Sequence, residues 1–270
     1  MAIGDLRSRD LHRFINGNRD EGGLWLFIHV PKTAGSSFRK ELAETLRPQR
    51  NIHINYDSDE PFAQQMETAI ARFLEADKYT YFRFASGHIN MDQALPIRRN
   101  RPDTRIITFL RNPVDRVISD FRYQRTPAHP PYKNFIERYP TIDAYIADPV
   151  SQNRMSRILT PSHIDPADFD EVVNFLDQNV TFIGIQDIYP LSFSIMFGLL
   201  GMNRHPRVHE RKTQSTDTND VMLSEELQSR IRSINDLDYR LFRHYRQLLA
   251  SIREQWHEYK IRANQPASEQ

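Results

Sequence analysis

The chain of 270 residues contains no cysteine. That excludes a disulfide framework and any zinc site built on thiolates. No stretch reaches the roughly eighteen apolar residues that mark a membrane-spanning helix. The opening stretch, MAIGDLRSRDLHRF, lacks the apolar core of a secretory signal. Neither sign of charge is in excess, with 36 Lys and Arg against 35 Asp and Glu. Net charge therefore gives no reason to expect a polyanionic partner. Aromatic and basic residues are not interleaved as in a nucleic-acid surface, so none is expected as partner. There is no internal repeat and no heptad run. What is present is 39% hydrophobic content, enough for one large core. The expected division is a polar, loosely held arm over 1–23, one domain over 24–262 and a frayed tail over 263–270.

Within that domain, apolar runs alternate with helical periodicity. Strands are expected at 24–30, 79–85, 105–110 and 180–185, with 52–54 as an edge strand or extended loop. Helices are expected at 37–46, 60–77, 114–124, 132–146, 191–200 and, in two pieces, 224–259. Another is expected from Asp165 as N-cap, with Pro166 at its first position, to 179. Alternating strands and helices imply an α/β fold, a mainly parallel sheet flanked by helices with a helical C-terminal region. Ligands of such sheets bind beyond the carboxyl ends of the strands. Three polar clusters fall there, at 31–37, 86–88 and 111–119.

The first cluster lies in LWLFIHVPKTAGSSFRKELAETL, residues 24–46. An apolar run broken only by His29 leads into a short loop of small residues. A helix follows, with Phe38, Leu42 and Leu46 along one face. Strand, tight loop and helix aim backbone N–H groups and a helix dipole at an anion. Thr33, Ala34, Gly35, Ser36 and Ser37 supply backbone and hydroxyl donors, and Lys32 supplies a charge. The pattern is P-loop-like but is not the Walker sequence, because Lys32 and Thr33 precede Gly35 rather than opening the helix.

The string HVPKTAGSS, residues 29–37, resembles the 5'-phosphosulfate loop of sulfotransferases that use 3'-phosphoadenosine 5'-phosphosulfate (PAPS). It is most similar to their carbohydrate and membrane-type branch, including the heparan sulfate 2-O-sulfotransferases. The resemblance implies that Lys32 stabilises the bridging oxygen of the departing nucleotide and that residues 33–37 hold the 5'-phosphate. The stretch FLRNPVDRVIS, residues 109–119, resembles the family's 3'-phosphate site, with Arg111 and Ser119 as the clamp. Arg116 is a weaker candidate there, and an Arg111–Asp115 ion pair is the bland alternative. The Gly87–His88 pair resembles the catalytic-base region, and an imidazole suits a general base. The family's second histidine just before it is replaced here by Ala85 and Ser86, so the role passes to His88 alone. Asp92 and Asp120 are the alternative bases. Arg211, Lys212 and Thr213 resemble the basic loop that caps the nucleotide. Gln186 stands where the family often has an acid.

The resemblance thus implies a PAPS-dependent transferase acting on a small-molecule or glycan hydroxyl, without a divalent metal. Asn153 and Arg154 are expected to line the acceptor side, and Tyr123 and Tyr132 are compatible with sugar stacking. A free, cytoplasmic, bacterial catalytic domain is expected. Two other classes are kept open: a P-loop nucleotide phosphotransferase, and a non-catalytic nucleotide- or polyanion-binding module.

Overall fold

The computed structural model describes residues 2–55, 58–129, 131–207, 216 and 219–263. In chain order the elements are α1 (Leu11–Asn18), β1 (Trp25–Ile28), α2 (Gly35–Thr45), β2 (Gln49–Ile52) and α3 (Phe62–Thr80). Next come β3 (Phe84–Gly87), α4 (Met91–Asn100), β4 (Arg105–Leu110), α5 (Pro113–Gln124), α6 (Tyr132–Arg138) and α7 (Ile142–Ala147). They are followed by α8 (Arg154–Leu159), α9 (Phe169–Asn179), β5 (Phe182–Ile185) and α10 (Tyr189–Leu199). The last are α11 (Glu225–Ile234), α12 (Asp236–Ser251) and α13 (Arg253–Ala263).

Among the described residues, five strands form one sheet in the order β2-β3-β1-β4-β5, with every neighbouring pair parallel. This is the expected α/β architecture. Each residue of β1 is buried, which is why its sequence is unbroken Trp-Leu-Phe-Ile rather than alternating. The register sets Ile28 against Gly87 on one side and Thr108 on the other. β1 and β3 therefore end level, and β4 continues two residues beyond them, to Leu110. From β1 the chain runs out to β2, comes back as β3, and then crosses to β4 on the far edge of β1. A change of direction of this kind opens a crevice above the strand ends.

Helix α2 is fixed to the sheet by Phe38, whose ring meets Phe27 at 5.4 Å and Phe109 at 4.5 Å. Phe38 and Leu42 are fully buried, one turn apart. Each such side chain contributes about 1.5–3 kcal/mol of burial. The loop before α2 is thereby held at one end by β1 and at the other by an anchored helix.

The structure departs from the sequence reading in five places. The N-terminal segment is not a loose arm. Ile3, Leu6, Leu11, Phe14 and Ile15 are buried in the main core, and the Ile3 N–H donates to the Val180 carbonyl at 2.8 Å. The strand expected at 79–85 begins only at Phe84, because α3 continues through Thr80. Tyr81 ends that helix in the left-handed conformation, and the buried Asp77 carboxylate accepts from the Phe82 N–H at 2.7 Å. Helix α9 is capped by Asp168, not Asp165, which instead closes a turn onto the Ala167 N–H. The aromatic helix over 132–146 divides into α6 and α7 around Pro140. The C-terminal helix is three helices, with breaks at Asn235 and Ile252. No helix among the described residues is long and apolar enough to cross a membrane.

Candidate active site

The loop after β1 reaches the cleft through two strained residues. Lys32 and Ala34 adopt positive φ, 69° and 68°, which side chains rarely do. Left-handed residues this close together turn backbone N–H groups into one concavity, the geometry of an anion nest. Thr33 lies between them, fully buried, with its hydroxyl donated to the Val30 carbonyl at 2.9 Å. Ala34 holds the N-cap position of α2, and its methyl offers the helix no capping acceptor. Ser36 is exposed and Ser37 half-buried on the first turn.

The Lys32 ammonium lies over the Tyr123 ring, 4.1 Å from its centroid. Burial, reinforced by Arg111, holds its pKa below the usual lysine range, and Asp120 opposes that shift. Arg111 leaves β4 and donates through Nη1 to the Lys32 carbonyl at 3.2 Å, tying the second cluster to the first. Its Nε is buried and has no partner among the described residues. It forms no ion pair with Asp115. Helix α5 starts immediately afterwards, capped by the Asn112 side chain on Val114 N–H with Pro113 in its first turn. Ser119 is half-buried on α5, one turn before Tyr123, so it shares the face that Tyr123 turns to Lys32.

His88 follows β3 and is exposed at the cleft surface. Its Nδ1 lies 2.8 Å from the His29 carbonyl. A carbonyl only accepts, so Nδ1 carries the proton and Nε2 keeps its lone pair. Partial desolvation by the surrounding protein lowers the His88 pKa, helped by Arg154 and Arg39; the His29 carbonyl and Asp120 act the other way. The His29 ring stacks on that of His88, with centroids 4.5 Å apart. Sequence reading gave His29 no role. The available signal was that both 29 and 88 are the first polar positions after paired strand ends.

The remaining candidates sort by their partners. Asp120 is buried, and its Oδ2 accepts from Arg116 at 3.1 Å, Arg154 at 2.9 Å and the Tyr145 hydroxyl at 2.9 Å. Burial alone would raise its pKa, yet Arg154, Arg116, Tyr145 and Lys32 hold it below the ordinary range. Such a carboxylate is a poor proton acceptor. Asp92 is likewise engaged, by the Ser162 N–H and hydroxyl. Arg116 is fully buried between Asp120 and the Ser151 carbonyl and does not cover the helix surface. Asn153 is drawn away from the cleft into a clasp, its N–H on Asn235 Oδ1 at 2.8 Å and its Oδ1 on the Asp238 N–H at 3.2 Å. The buried Asp238 carboxylate accepts the N–H groups of Met155 and Ser156 and the Ser156 hydroxyl. That clasp fixes the first turn of α8 and so directs Arg154 to Asp120. Tyr132 opens α6, and Gln186 follows β5 in a tight turn. Arg211, Lys212 and Thr213 lie outside the described residues.

The cleft therefore joins a loop with the backbone geometry of an anion nest, a partly buried lysine, an arginine with a donor to spare and an imidazole with a free lone pair. A family model, the Sulfotransferase family, matches residues 24–246, and the chain belongs to that family. It is an enzyme, a PAPS-dependent sulfotransferase. Among solved structures it is similar to mouse sulfotransferase SULT7A1 complexed with PAP, at 16% identity and a TM-score of 0.39. That match covers 83% of this chain and 67% of the other. It is also similar to a sulfotransferase from Alicyclobacillus acidocaldarius, at 14% identity and a TM-score of 0.46, covering 86% and 98% respectively. No curated protein sequence matches the chain.

Proposed function

We propose that this enzyme sulfates a carbohydrate hydroxyl, with His88 as general base and Lys32 beside the departing oxygen. The carbohydrate acceptor is supported by the likeness of residues 29–37 and 87–88 to the heparan sulfate 2-O-sulfotransferases. The observation that carries the division of labour is that three adjacent parallel strands end on one side of the sheet: β1 bears the loop, β3 the imidazole and β4 the arginine. The site fits a bisphosphate nucleotide. The buried, unpartnered Nε of Arg111 asks for an acceptor, and the uncapped start of α2 asks for an anion.

When bound, PAPS supplies the sulfuryl group already activated on a phosphate. Residues 33–37 present backbone N–H groups, and Ser36 and Ser37 their hydroxyls, to the 5'-phosphate; the Thr33 hydroxyl is committed to the Val30 carbonyl. Arg111 offers its fork, and Ser119 its hydroxyl, to the 3'-phosphate. Lys32 places a positive charge where negative charge develops on the leaving oxygen. His88 Nε2 accepts the acceptor's hydroxyl proton. Arg211, Lys212 and Thr213 belong to the proposal as a cap over the nucleotide.

Calorimetric titration with 3'-phosphoadenosine 5'-phosphate, with AMP and ATP alongside, tests the donor site. Losing a charged, partly buried hydrogen-bond fork costs about 2–3 kcal/mol, so Arg111→Ala should weaken the bisphosphate by roughly 30- to 150-fold. Equal or tighter binding of ATP would instead favour a phosphotransferase. The base has its own signature. Because the His88 pKa is lowered, it stays unprotonated further into acid, and the acid limb of kcat/KM should fall below 6.5. Rates of labelled sulfuryl transfer to partly desulfated heparan sulfate across pH give that limb. A limb at or above 6.5 counts against His88.

A further inference from the structure

We infer that His29 is a positioning residue for His88, its ring serving as the spacer that sets the gap between the first turn of α2 and the base. This deepens the reading of His88 as base and rests on it. His29 follows β1, His88 follows β3, and the pairing of Ile28 with Gly87 sets the two histidines level. Two hydrogen bonds lock that level. The His29 N–H donates to the Gly87 carbonyl at 2.9 Å, and His88 Nδ1 donates to the His29 carbonyl at 2.8 Å. Beside these bonds the two rings stack, inclined by 27°.

The Cδ2–Nε2 edge of the His29 ring is equally confined. A Cβ placed on Gly35 would lie 2.1 Å from its Cδ2 and 2.3 Å from its Nε2, closer than real atoms come. Gly35 is the first residue of α2 and part of the loop assigned to the 5'-phosphate. Its lack of a side chain makes room for the imidazole, since its backbone is not in the left-handed region. The buried Phe27 ring lies parallel to His29 within 17°, at 5.4 Å. One flat ring therefore fills the slot between donor loop and base.

The consequence for His88 is geometric. Its single Nδ1 bond to the His29 carbonyl does not by itself hold the ring, which without a face to lean on can swing off that carbonyl and free Nδ1 to lose its proton. The face of His29 removes the swing and aims Nε2 into the cleft. A base displaced by about 1 Å loses on the order of a hundredfold in rate. His29 also adds no charge beside a base that must take up a proton. Burial, then His88, Arg39 and Lys32, bring its own pKa down to about 3.

The test compares His29→Leu, which keeps bulk but not the flat face, with His29→Phe, which keeps both. Histidine 15N shifts of protein saturated with 3'-phosphoadenosine 5'-phosphate report the His88 tautomer. Transfer to partly desulfated heparan sulfate reports kcat. His29→Leu should mix the two His88 tautomers and lower kcat by about tenfold to a hundredfold, with bisphosphate affinity unchanged. His29→Phe should keep the Nδ1–H tautomer and stay within about threefold of the parent. If His88 keeps a single Nδ1–H tautomer in His29→Leu, the spacer role is wrong. Should His29→Leu not fold, Gly35→Ala drives a methyl into the same ring and must mix the tautomers; an unchanged tautomer there overturns the proposal. A parental rate in His88→Ala would reject the base itself, and the tautomer measurements would still report whether His29 holds the ring.

Discussion

Lys32→Gly is expected to slow sulfuryl transfer about a thousandfold while leaving the fold within about 1 kcal/mol of the parent. A full positive charge at a developing oxyanion belongs at the upper end of what single donors contribute, roughly a hundredfold to a thousandfold. Stability should hardly change because three modest effects offset one another. Relief of a left-handed non-glycine conformation gains about 1–2 kcal/mol. Glycine's extra freedom in the unfolded chain costs about 0.5–1 kcal/mol, and the lost contact with Tyr123 costs about as much. Initial rates with labelled PAPS and partly desulfated heparan sulfate, paired with urea unfolding, measure both quantities. A rate within tenfold of the parent would falsify the assignment of Lys32 to the leaving oxygen. A large loss of stability would make it a structural residue.

Asp120→Ala should be among the most destabilising single substitutions in this protein, at about 3–5 kcal/mol. The carboxylate is the shared acceptor of Arg116, Arg154 and Tyr145. Removing it strands the Arg116 guanidinium, which is fully buried and whose other recorded contact is the Ser151 carbonyl. For a chain of 270 residues, that corresponds to a melting temperature lower by roughly 5–9 °C. Melting within about 2 °C of the parent would contradict this account. A stable variant with a displaced acid limb would return Asp120 to the list of possible bases.

These two residues mark the boundary of what sequence makes legible. The strand–loop–helix around Lys32 could be read because its signal is local: an apolar strand, small residues and an amphipathic helix follow one another without interruption. Arg111 and His88 could be read because each directly follows a strand, and the sheet type says where such positions gather. The partners of Asp120 were hidden because they arrive from α5, α7 and α8, and no periodicity announces which helices meet. His29 was visible but undervalued. A histidine ending an apolar run looks like a tolerated interruption until the register of β1 on β3 sets it beside His88. The loop's one glycine also misleads. Glycine invites an explanation by strain, yet the strained positions are Lys32 and Ala34, and Gly35 is small because His29 needs the space. At the N-terminus, scattered apolar residues such as Ile3 and Leu6 read as a loose arm. Their burial depends on α9 and Val180, far along the chain.

A ribosome making this chain finishes the loop at 29–37, His88 and Arg111 well before it reaches residues 235–238. Until Asn235 and Asp238 emerge, the first turn of α8 has none of the acceptors that hold it, and Arg154 has no fixed address. The growing polypeptide can thus carry Lys32, His88 and Arg111 while the first turn of α8 is still unheld. Arg154, the residue expected on the acceptor side, is fixed in place late in synthesis, when α12 closes over α8.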